Sequence, residues 1–487
     1  MDWTSVPWEV RPELAERFRQ VRPFEEAETT LVQALVRRPD RLPRRLEVAL
    51  RLSLNLAKTW VVQGERGRPV PVGPRLSAFR DRVAPVATRI ARQQGDLDPR
   101  ELAVEAEQLR RLLGETLERI LLEHSDRLRR DQLESELGHK KLVLALGGGG
   151  GSGWAHLGVL SALRRIRIEP SAVVGCSMGA VVALLRARGL EPETTLQQAF
   201  SIDLRFKDLF RGLGEDTRYS LPGAIRLHLR ASLARHFVSE DGTALRISDL
   251  ELPYAAVVTG IRRAAVADFR PVERELLRQM RRGTLGRLVH YKDLVSSLAR
   301  LLTHLASTPG ALSTVALGAD DLTREFDAVD AAGFSSALPA VLQYDVQRDE
   351  PRMHRLLAAL FEREGITALA DGGLVSNVPA RVAWEMVQSG RVGSRNALVV
   401  GLDCFAPGWN RNVAFLPLQR IAAENVARDR AFAQSWITFR RVPGPLAVVP
   451  QARAIRLALR HSRSDLERWT PFLLKMLEPL PLTPSST

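Results

Sequence analysis

Apolar residues recur at helical spacing through the first 140 residues of the chain. Arg44–Val62 carries them every three or four positions, and a leucine stripe follows Asp98. Asp98-Pro99-Arg100-Glu101 is a strong helix start, with Asp at the N-cap, Pro at the first helical position and Glu three residues after the cap. We therefore expect a helical region over residues 1–140, with a long helix that could break at Gly114 and a loop at Val61–Pro74.

Beyond residue 140 the pattern changes to short apolar runs of strand type. Leu142–Leu146, Ser171–Val174 and Ile366–Ala370 are such runs, and each leads into a glycine-containing turn. Tyr254–Gly260 and Ala397–Asp403 are further candidates for buried strands. This pattern predicts a domain over residues 141–405 in which strands and helices are mixed.

Helix formers dominate residues 264–325 between these strands, notably in Pro271–Arg281 and Val289–Ala306. We expect a helical insertion here. It could serve as a lid, as an interfacial docking surface or as a scaffold helix pair, and residue spacing does not separate these uses.

The net charge of +14 is unevenly distributed along the chain. Residues 406–487 hold 12 Lys and Arg against 5 Asp and Glu. Within them Arg453, Arg456, Arg460 and Arg463 recur at a spacing of three to four, which predicts a basic helix. Such a helix suits an anionic membrane surface, and the same pattern is typical of a solvated arginine face on a helix packed against a core. Nucleic-acid binding is not expected, because stacking aromatics do not alternate with the basic residues.

No apolar run reaches the roughly 18 residues of a membrane-spanning helix. The start of the chain lacks the basic and apolar stretches of a secretory signal. Cys176 and Cys404 give neither a disulfide framework nor a metal-ligand spacing. We expect a cytoplasmic protein that could associate peripherally with membranes and that needs no metal or cofactor.

The first candidate for chemistry is a glycine loop, within the sequence LVLALGGGGGSGWAHLGVL of Leu142–Leu160. A strand that ends in glycines and leads into a helix aims several unpaired backbone N–H groups at one point, where the helix dipole favours negative charge. That point can hold a phosphate, or the oxyanion that forms when a nucleophile attacks an ester carbonyl. Residues 148–153 match the G-x-G-x-x-G fingerprint of dinucleotide-binding proteins. Such proteins also need a carboxylate at the end of the next strand to bind the ribose, and the next strand here ends without one. A Walker-type loop is excluded because Trp154 follows the closing glycine where Lys is required.

The second candidate is the G-x-S-x-G pattern of Gly175–Gly179, which ends the next predicted strand and precedes a helix-like stretch. Its glycines allow the sharp, exposed turn of a nucleophile elbow around Ser177. The alternative is a tight turn with a helix-capping serine. Far downstream, Asp371 and two glycines follow a strand, which reads either as a plain turn or as the source of a base for Ser177.

These blocks together resemble the patatin-like phospholipase family. In that family an LALSGGGxRGxxHIGVL-type segment supplies the oxyanion hole, a GxSxG elbow the nucleophile and a DGG segment the partner aspartate. The corresponding blocks here are Leu144–Leu160, Gly175–Ala180 and Asp371–Pro379, and Phe334–Val341 resembles the family's S-x-A-x-P segment. All four occur in the family's order, and the resemblance covers about residues 141–405.

The resemblance implies a three-layer α/β/α sandwich with a mostly parallel central sheet, preceded by the all-helical region and followed by a basic helical region at 406–487. It also implies a serine lipid acyl hydrolase that acts on phospholipids or lysophospholipids. Ser177 would be the nucleophile and Asp371 its base. The oxyanion hole would comprise Gly148, Gly149, Gly150, Gly151, Ser152 and Gly153, with the N–H groups of Gly149 and Gly150 as donors. The elbow would comprise Gly175, Cys176, Met178 and Gly179, and the DGG segment Gly372 and Gly373.

Two departures and one rival accompany this interpretation. Ser152 stands where the family usually has Arg or Lys, which favours as an alternative a catalytically weak homologue that binds membranes or a partner. Cys176 stands where Thr is common, and we interpret it as a small packed residue. A Ser-His-Asp order is met by Ser177, Asp371 and His461, although His461 reads better as a solvated surface residue. His156 is expected to pack or to form a hydrogen bond behind the glycine loop.

Overall fold

The structure, a computed structural model, describes residues 12–93, 98–191, 210–212, 218–221, 223–264, 308, 310–347, 350–406, 416–445, 447–448 and 452–482. They divide into two compact units. The helical unit holds the described residues of Met1–Leu142, Trp384–Val399 and Arg468–Thr487, and the sheet unit those of Val143–Ala383 and Val400–Glu467.

Helices dominate the described residues before Lys141, and helices and strands are mixed after it. The helices are α1 (Pro12–Arg37), α2 (Arg44–Lys58), α3 (Ser77–Arg92), α4 (Pro99–Glu123), α5 (Arg130–Gly138), α6 (Ala155–Arg165), α7 (Met178–Ala187), α8 (Leu229–Leu233), α9 (Ala328–Ser335), α10 (Pro351–Glu364), α11 (Ala380–Gln388), α12 (Leu416–Asp429), α13 (Ala452–Glu467) and α14 (Thr470–Leu477). The strands are β1 (Val61–Gln63), β2 (Pro69–Pro71), β3 (Lys141–Leu146), β4 (Ala172–Cys176), β5 (Phe210–Gly212), β6 (Gly223–Leu227), β7 (Tyr254–Arg262), β8 (Leu312–Leu317), β9 (Ala340–Gln343), β10 (Ile366–Asp371), β11 (Ala397–Asp403) and β12 (Ser435–Thr438).

The helical unit confirms the helix start predicted at Asp98, whose carboxylate accepts a hydrogen bond from the Arg100 N–H at 2.9 Å. The break expected at Gly114 is wrong, because α4 runs through it to Glu123. A Cβ at Gly114 would meet nothing within 4 Å, so this glycine lies on an open face, where it costs the helix only about 1 kcal/mol. The loop expected at Val61–Pro74 contains a two-stranded antiparallel ribbon of β1 and β2.

The sheet unit is built on a seven-stranded sheet in the order β10-β7-β4-β3-β11-β12, with β8 also paired to β7. The β3–β4, β4–β7 and β11–β12 pairs are parallel, and β7 is antiparallel to both β8 and β10. The five strands predicted from apolar runs are all present. With α6 packed against α13, and α9 against α7 and β7, this is the expected α/β/α fold with a mostly parallel central sheet.

Two predictions of purely helical segments need correction. β8 lies inside the 264–325 insertion, where Leu312–Leu317 extends the sheet beyond β7. The helices expected at Pro271–Arg281 and Val289–Ala306 lie outside the described residues. β12 is a strand inside the C-terminal region, which was expected to be helical. Ser435–Thr438 pairs with β11, and this pairing buries Trp436 and Ile437.

The described helices include none that is both long enough and apolar enough to cross a bilayer. The division of the sequence at residues 140 and 405 remains a prediction. In the structure, the described residues of 406–467 belong to the sheet unit and those of 468–487 to the helical unit.

Candidate active site

The register of β7 brings two distant strand ends together. Cys176, the last residue of β4, pairs with Val257, and Asp371, the last residue of β10, pairs with Val258. Because Val257 and Val258 are consecutive, the residue that follows β4 lies next to the end of β10. That residue is Ser177.

Ser177 has the strained backbone of a nucleophile elbow, with φ 52° and ψ −128°. A non-glycine residue in such a conformation costs about 1–3 kcal/mol and needs support from its surroundings. The Ser177 N–H donates to the Ser335 Oγ at 2.9 Å, and the Ser335 hydroxyl donates to the Val257 carbonyl at 2.6 Å. Ser335 therefore ties the turn to β7.

The two elbow glycines are required by close packing. A Cβ on Gly175 would lie 2.4 Å from the Ala180 Cα, and a Cβ on Gly179 would lie 2.3 Å from the Leu146 carbonyl oxygen. These distances are far below van der Waals contact, so any larger residue would displace the turn. The elbow can hold its shape only with glycine at both positions.

Asp371 is buried and lies beside Ser177. The Ser177 hydroxyl interacts with its carboxylate, and the Gly373 N–H donates to Oδ1 at 2.7 Å. Burial raises the pKa of Asp371 from 3.8 to about 6, although both of these interactions act to lower it. At neutral pH the carboxylate is therefore ionised, and it is a stronger base than an exposed aspartate.

The glycine loop lies directly against Ser177, since a Cβ on Gly148 would be 3.0 Å from the Ser177 Cβ. The Gly148 N–H donates to the Asn377 carbonyl and the Gly151 N–H to the Pro445 carbonyl, both at 2.9 Å. The Ser152 N–H donates to the Gly149 carbonyl at 3.1 Å. Within the described part of the chain, the N–H groups of Gly149 and Gly150 have no acceptor.

The remaining residues of the loop and of the elbow have packing roles. The buried Ser152 hydroxyl donates to the Pro443 carbonyl at 2.8 Å, so it is not available to a substrate. The Met178 side chain packs where a Cβ on Gly153 would lie. Burial raises the pKa of the Cys176 thiol, which stays neutral, and its sulfur fills the space below Gly372.

His156 supports the loop from behind, whereas no hydrogen bond among the described residues joins His461 to Asp371. The His156 Nε2 donates to the Gly147 carbonyl at 2.8 Å, and burial lowers its pKa to about 4, so the ring is neutral. His461 lies on α13. Among the described residues, the groups that interact with the Asp371 carboxylate are those of Ser177 and Gly373, so the Ser-His-Asp alternative has no support.

Three residues in contact with this site were missed as functional residues from the sequence. Ser335 belongs to the S-x-A-x-P block, which was noted without a role for its serine. Asn377 lies in the segment after the DGG motif. Asn425 lies on α12, and no local pattern marks it. No group of three or more His, Cys, Asp or Glu among the described residues could hold a metal ion.

A family model described as patatin-like phospholipase matches residues 144–384, which include the glycine loop, the elbow and Asp371. The chain is also similar to uncharacterized NTE family proteins of Mycobacterium bovis and of two strains of Mycobacterium tuberculosis, with 33% identity over 121 residues. This match covers 25% of the chain and 31% of each relative, so the chain matches less than a third of their length. Residues 144–384 therefore form a patatin-like phospholipase domain.

Proposed function

We propose that the chain is a serine lipid acyl hydrolase of phospholipase A or lysophospholipase type. The observation that carries this proposal is the meeting of Ser177 with the buried carboxylate of Asp371, where the Ser177 hydroxyl interacts with that carboxylate. The N–H groups of Gly149 and Gly150, which have no acceptor among the described residues, support it, because they can stabilise an oxyanion beside Ser177. The substrate would be a carboxylic ester in a phospholipid or lysophospholipid, as the match to the family model suggests.

The reaction has two half-reactions with Asp371 as the proton carrier. Asp371 takes the proton of Ser177 as Oγ bonds to the ester carbonyl carbon, and the carbonyl oxygen becomes an anion facing the glycine loop. The intermediate collapses, the bond to the alcohol breaks, and Asp371 protonates the leaving oxygen. Water then attacks the acyl-enzyme, gives a proton to Asp371, and releases the fatty acid as Ser177 regains its proton.

The glycine loop must supply much of the rate acceleration. A carboxylate is a weak base towards a serine hydroxyl, and one oxyanion donor is typically worth about 10²–10³ in rate. Strain at Ser177 also favours reaction, since the elbow holds the hydroxyl ready beside its base. The buried Ser152 contributes no cation, which is the observation that favours the alternative of a catalytically weak homologue that binds membranes or a partner.

The test uses the purified chain with fluorogenic acyl esters and phospholipid vesicles. We expect turnover by the wild type, background rates for Ser177→Ala, and wild-type rates for Ser389→Ala, which removes an exposed serine. A fluorophosphonate should label the wild type and spare Ser177→Ala. Equal turnover by wild type and Ser177→Ala would refute the dyad, and folded protein that neither turns over nor takes the label would favour the weak homologue.

We also propose that α13 meets anionic membrane surfaces through its arginine face. Arg453, Arg456 and Arg460 are exposed, whereas Arg463 is half-buried and donates to the Ser161 Oγ at 2.5 Å. The apolar face of α13 is packed against α6, so the contact would be electrostatic and would not insert into the bilayer. A groove of about 460 Å³ beside this face is lined by Arg165, Arg456, Arg460 and Arg463, with Leu459, Ser464 and Glu467.

This membrane contact should depend strongly on salt. We expect binding to anionic vesicles that weakens as salt rises, with each exposed arginine worth about 1 kcal/mol. Arg456→Gln combined with Arg460→Gln should weaken cosedimentation, and Arg441→Gln, at an exposed position outside the helix, should not. Binding that is independent of salt, or equal on zwitterionic vesicles, would refute this proposal.

A further inference from the structure

Helix α12 holds the segment that follows Asp371, although it lies outside the family match of 144–384. The contact centres on Asn425, which is 1% exposed. Its Oδ1 accepts a hydrogen bond from the Asn377 N–H at 2.9 Å, and its Nδ2 donates to the Gly373 carbonyl at 2.8 Å. One carboxamide thus bridges two main-chain groups of the same segment.

Each of those main-chain groups belongs to a residue that contacts one part of the proposed site, either Asp371 or the glycine loop. The Gly373 N–H donates to the Asp371 Oδ1 at 2.7 Å, so the position of Gly373 sets the orientation of the base. The Asn377 carbonyl accepts from the Gly148 N–H at 2.9 Å, so Asn377 sets the position of the glycine loop. Asn425 is therefore linked through one residue to the base and through one residue to the oxyanion loop.

Further contacts from α12 and its end fix the residues between these points. The Ser376 hydroxyl donates to the Asp429 carboxylate, and the Arg428 guanidinium donates to the Val375 carbonyl at 3.3 Å. Asp429 also lies 3.9 Å from the Arg381 guanidinium. The segment from Gly373 to Asn377 is thus held at almost every residue by side chains from a single helix.

We propose that Asn425 is a positioning residue that sets the geometry between Asp371, Ser177 and the glycine loop. The inference rests on the proposed function, because it concerns the same dyad. It also extends the catalytic unit beyond the family match. Asn425 touches no substrate, and it acts through the main chain of Gly373 and Asn377.

The test compares two substitutions at Asn425 with a control on the same helix. Asn425→Ala removes both hydrogen bonds, and a displacement of about 1 Å at the dyad can lower turnover by about 10²-fold. We expect kcat to fall by that factor with KM little changed, because the ester contacts are left in place. Glu424→Ala, an exposed neighbour on α12, should match the wild type in both constants.

Asn425→Asp allows a second measurement, the pH–rate profile, which a residue with a purely structural role would not change. The aspartate keeps an acceptor for the Asn377 N–H, but it places negative charge near Asp371, and a like charge raises a carboxyl pKa. We expect the acidic limb of the pH–rate profile to move to higher pH. If Asn425→Ala does not fold, as judged by its melting temperature, Asn425→Asp decides the question.

The outcomes separate the two proposals. If the wild type shows no turnover that depends on Ser177, the proposed function fails and this inference falls with it. If the wild type is active but the folded Asn425 variants match Glu424→Ala in kcat and in pH profile, this inference alone is overturned. Lower kcat with an upward shift of the acidic limb would support it.

Discussion

Two buried carboxylates, one in each unit, have opposite pKa shifts. Glu28 on α1 is 1% exposed and Asp371 is 5% exposed. Burial alone would raise the pKa of both. The pKa of Glu28 nevertheless falls to about 2, because Lys140, Lys58 and Arg51 surround it, whereas that of Asp371 rises to about 6.

The difference lies in the partners of the two groups. Glu28 lies 2.9 Å from the Lys140 Nζ, 3.4 Å from the Lys58 Nζ and 3.6 Å from the Arg51 Nε. Among the described residues, the Asp371 carboxylate interacts only with a hydroxyl and a backbone N–H. Cations fix Glu28 as a permanent anion that cannot take up a proton near neutral pH. Their absence leaves Asp371 able to accept one, which is what a general base requires.

The comparison also separates stability from reactivity. A buried ion pair need not stabilise a fold more than apolar packing would, but losing one partner leaves the others charged and unpaired. Burying a carboxylate without a cation destabilises the folded state whenever the group is ionised. Glu28 should therefore matter for folding, and Asp371 should lower stability while serving the reaction.

The largest expected effect is on the stability of the helical unit. Glu28→Gln removes the charge that Lys140, Lys58 and Arg51 share, and breaking such a buried cluster typically costs about 3–5 kcal/mol. Chemical denaturation at pH 7 measures the loss. Because the folded pKa of Glu28 lies below its unfolded value, the difference from the wild type should shrink as pH falls from about 5 towards 2.

The control for this prediction is a glutamate on the same helix. Glu16 is exposed and pairs with Arg19 at 2.6 Å. Glu16→Gln should unfold at the same denaturant concentration as the wild type within error, because exposed pairs contribute little. Equal losses for the two substitutions would mean that the Glu28 cluster carries no special role.

The next effect has the opposite sign. Asp371→Asn should abolish turnover and yet stabilise the fold at pH 8 by about 3 kcal/mol, the free energy of a pKa raised by about two units. The folded pKa exceeds the unfolded one, so the wild type loses this stability as pH rises from about 4 to 6. The gain should therefore disappear in unfolding measurements at pH 4, and a variant less stable than the wild type at pH 8 would contradict this account.

The sequence predicted the parts of the site that local chemistry determines. The glycine loop, the elbow of Gly175–Gly179 and the end of β10 were all recognisable, because turns without room for a side chain demand glycine. The meeting of Ser177 with Asp371 came only from the family resemblance. Its physical cause is the register of β7 with β4 and β10, which no local pattern encodes.

Other features depend on contacts that a linear pattern does not contain. Asn425 reaches two main-chain groups about fifty residues away. β12 is four residues long and is followed by the helices α13 and α14, so the spacing of residues in this region predicts helix and not a strand. The arginine stripe of α13 was predicted, with packing of the helix against a core as one interpretation, but α6 was not identified as the helix that packs against it. The cluster around Glu28 joins residues from α1 and α2 with Lys140, which directly precedes β3, and none of them is marked by a motif.

The smallest effect is the most direct test of the raised pKa. If Asp371 is the base, log(kcat/KM) should fall with unit slope below about pH 6, and the rate at pH 5 should be about tenfold lower than at pH 8. Glu28→Gln, assayed well below its unfolding temperature, should keep the same limb, because Glu28 stays ionised over this range in the wild type. If His461→Gln removed the acidic limb, the Ser-His-Asp arrangement would be favoured instead. If kcat/KM did not change down to pH 4, burial would not raise the pKa of Asp371 in the active protein.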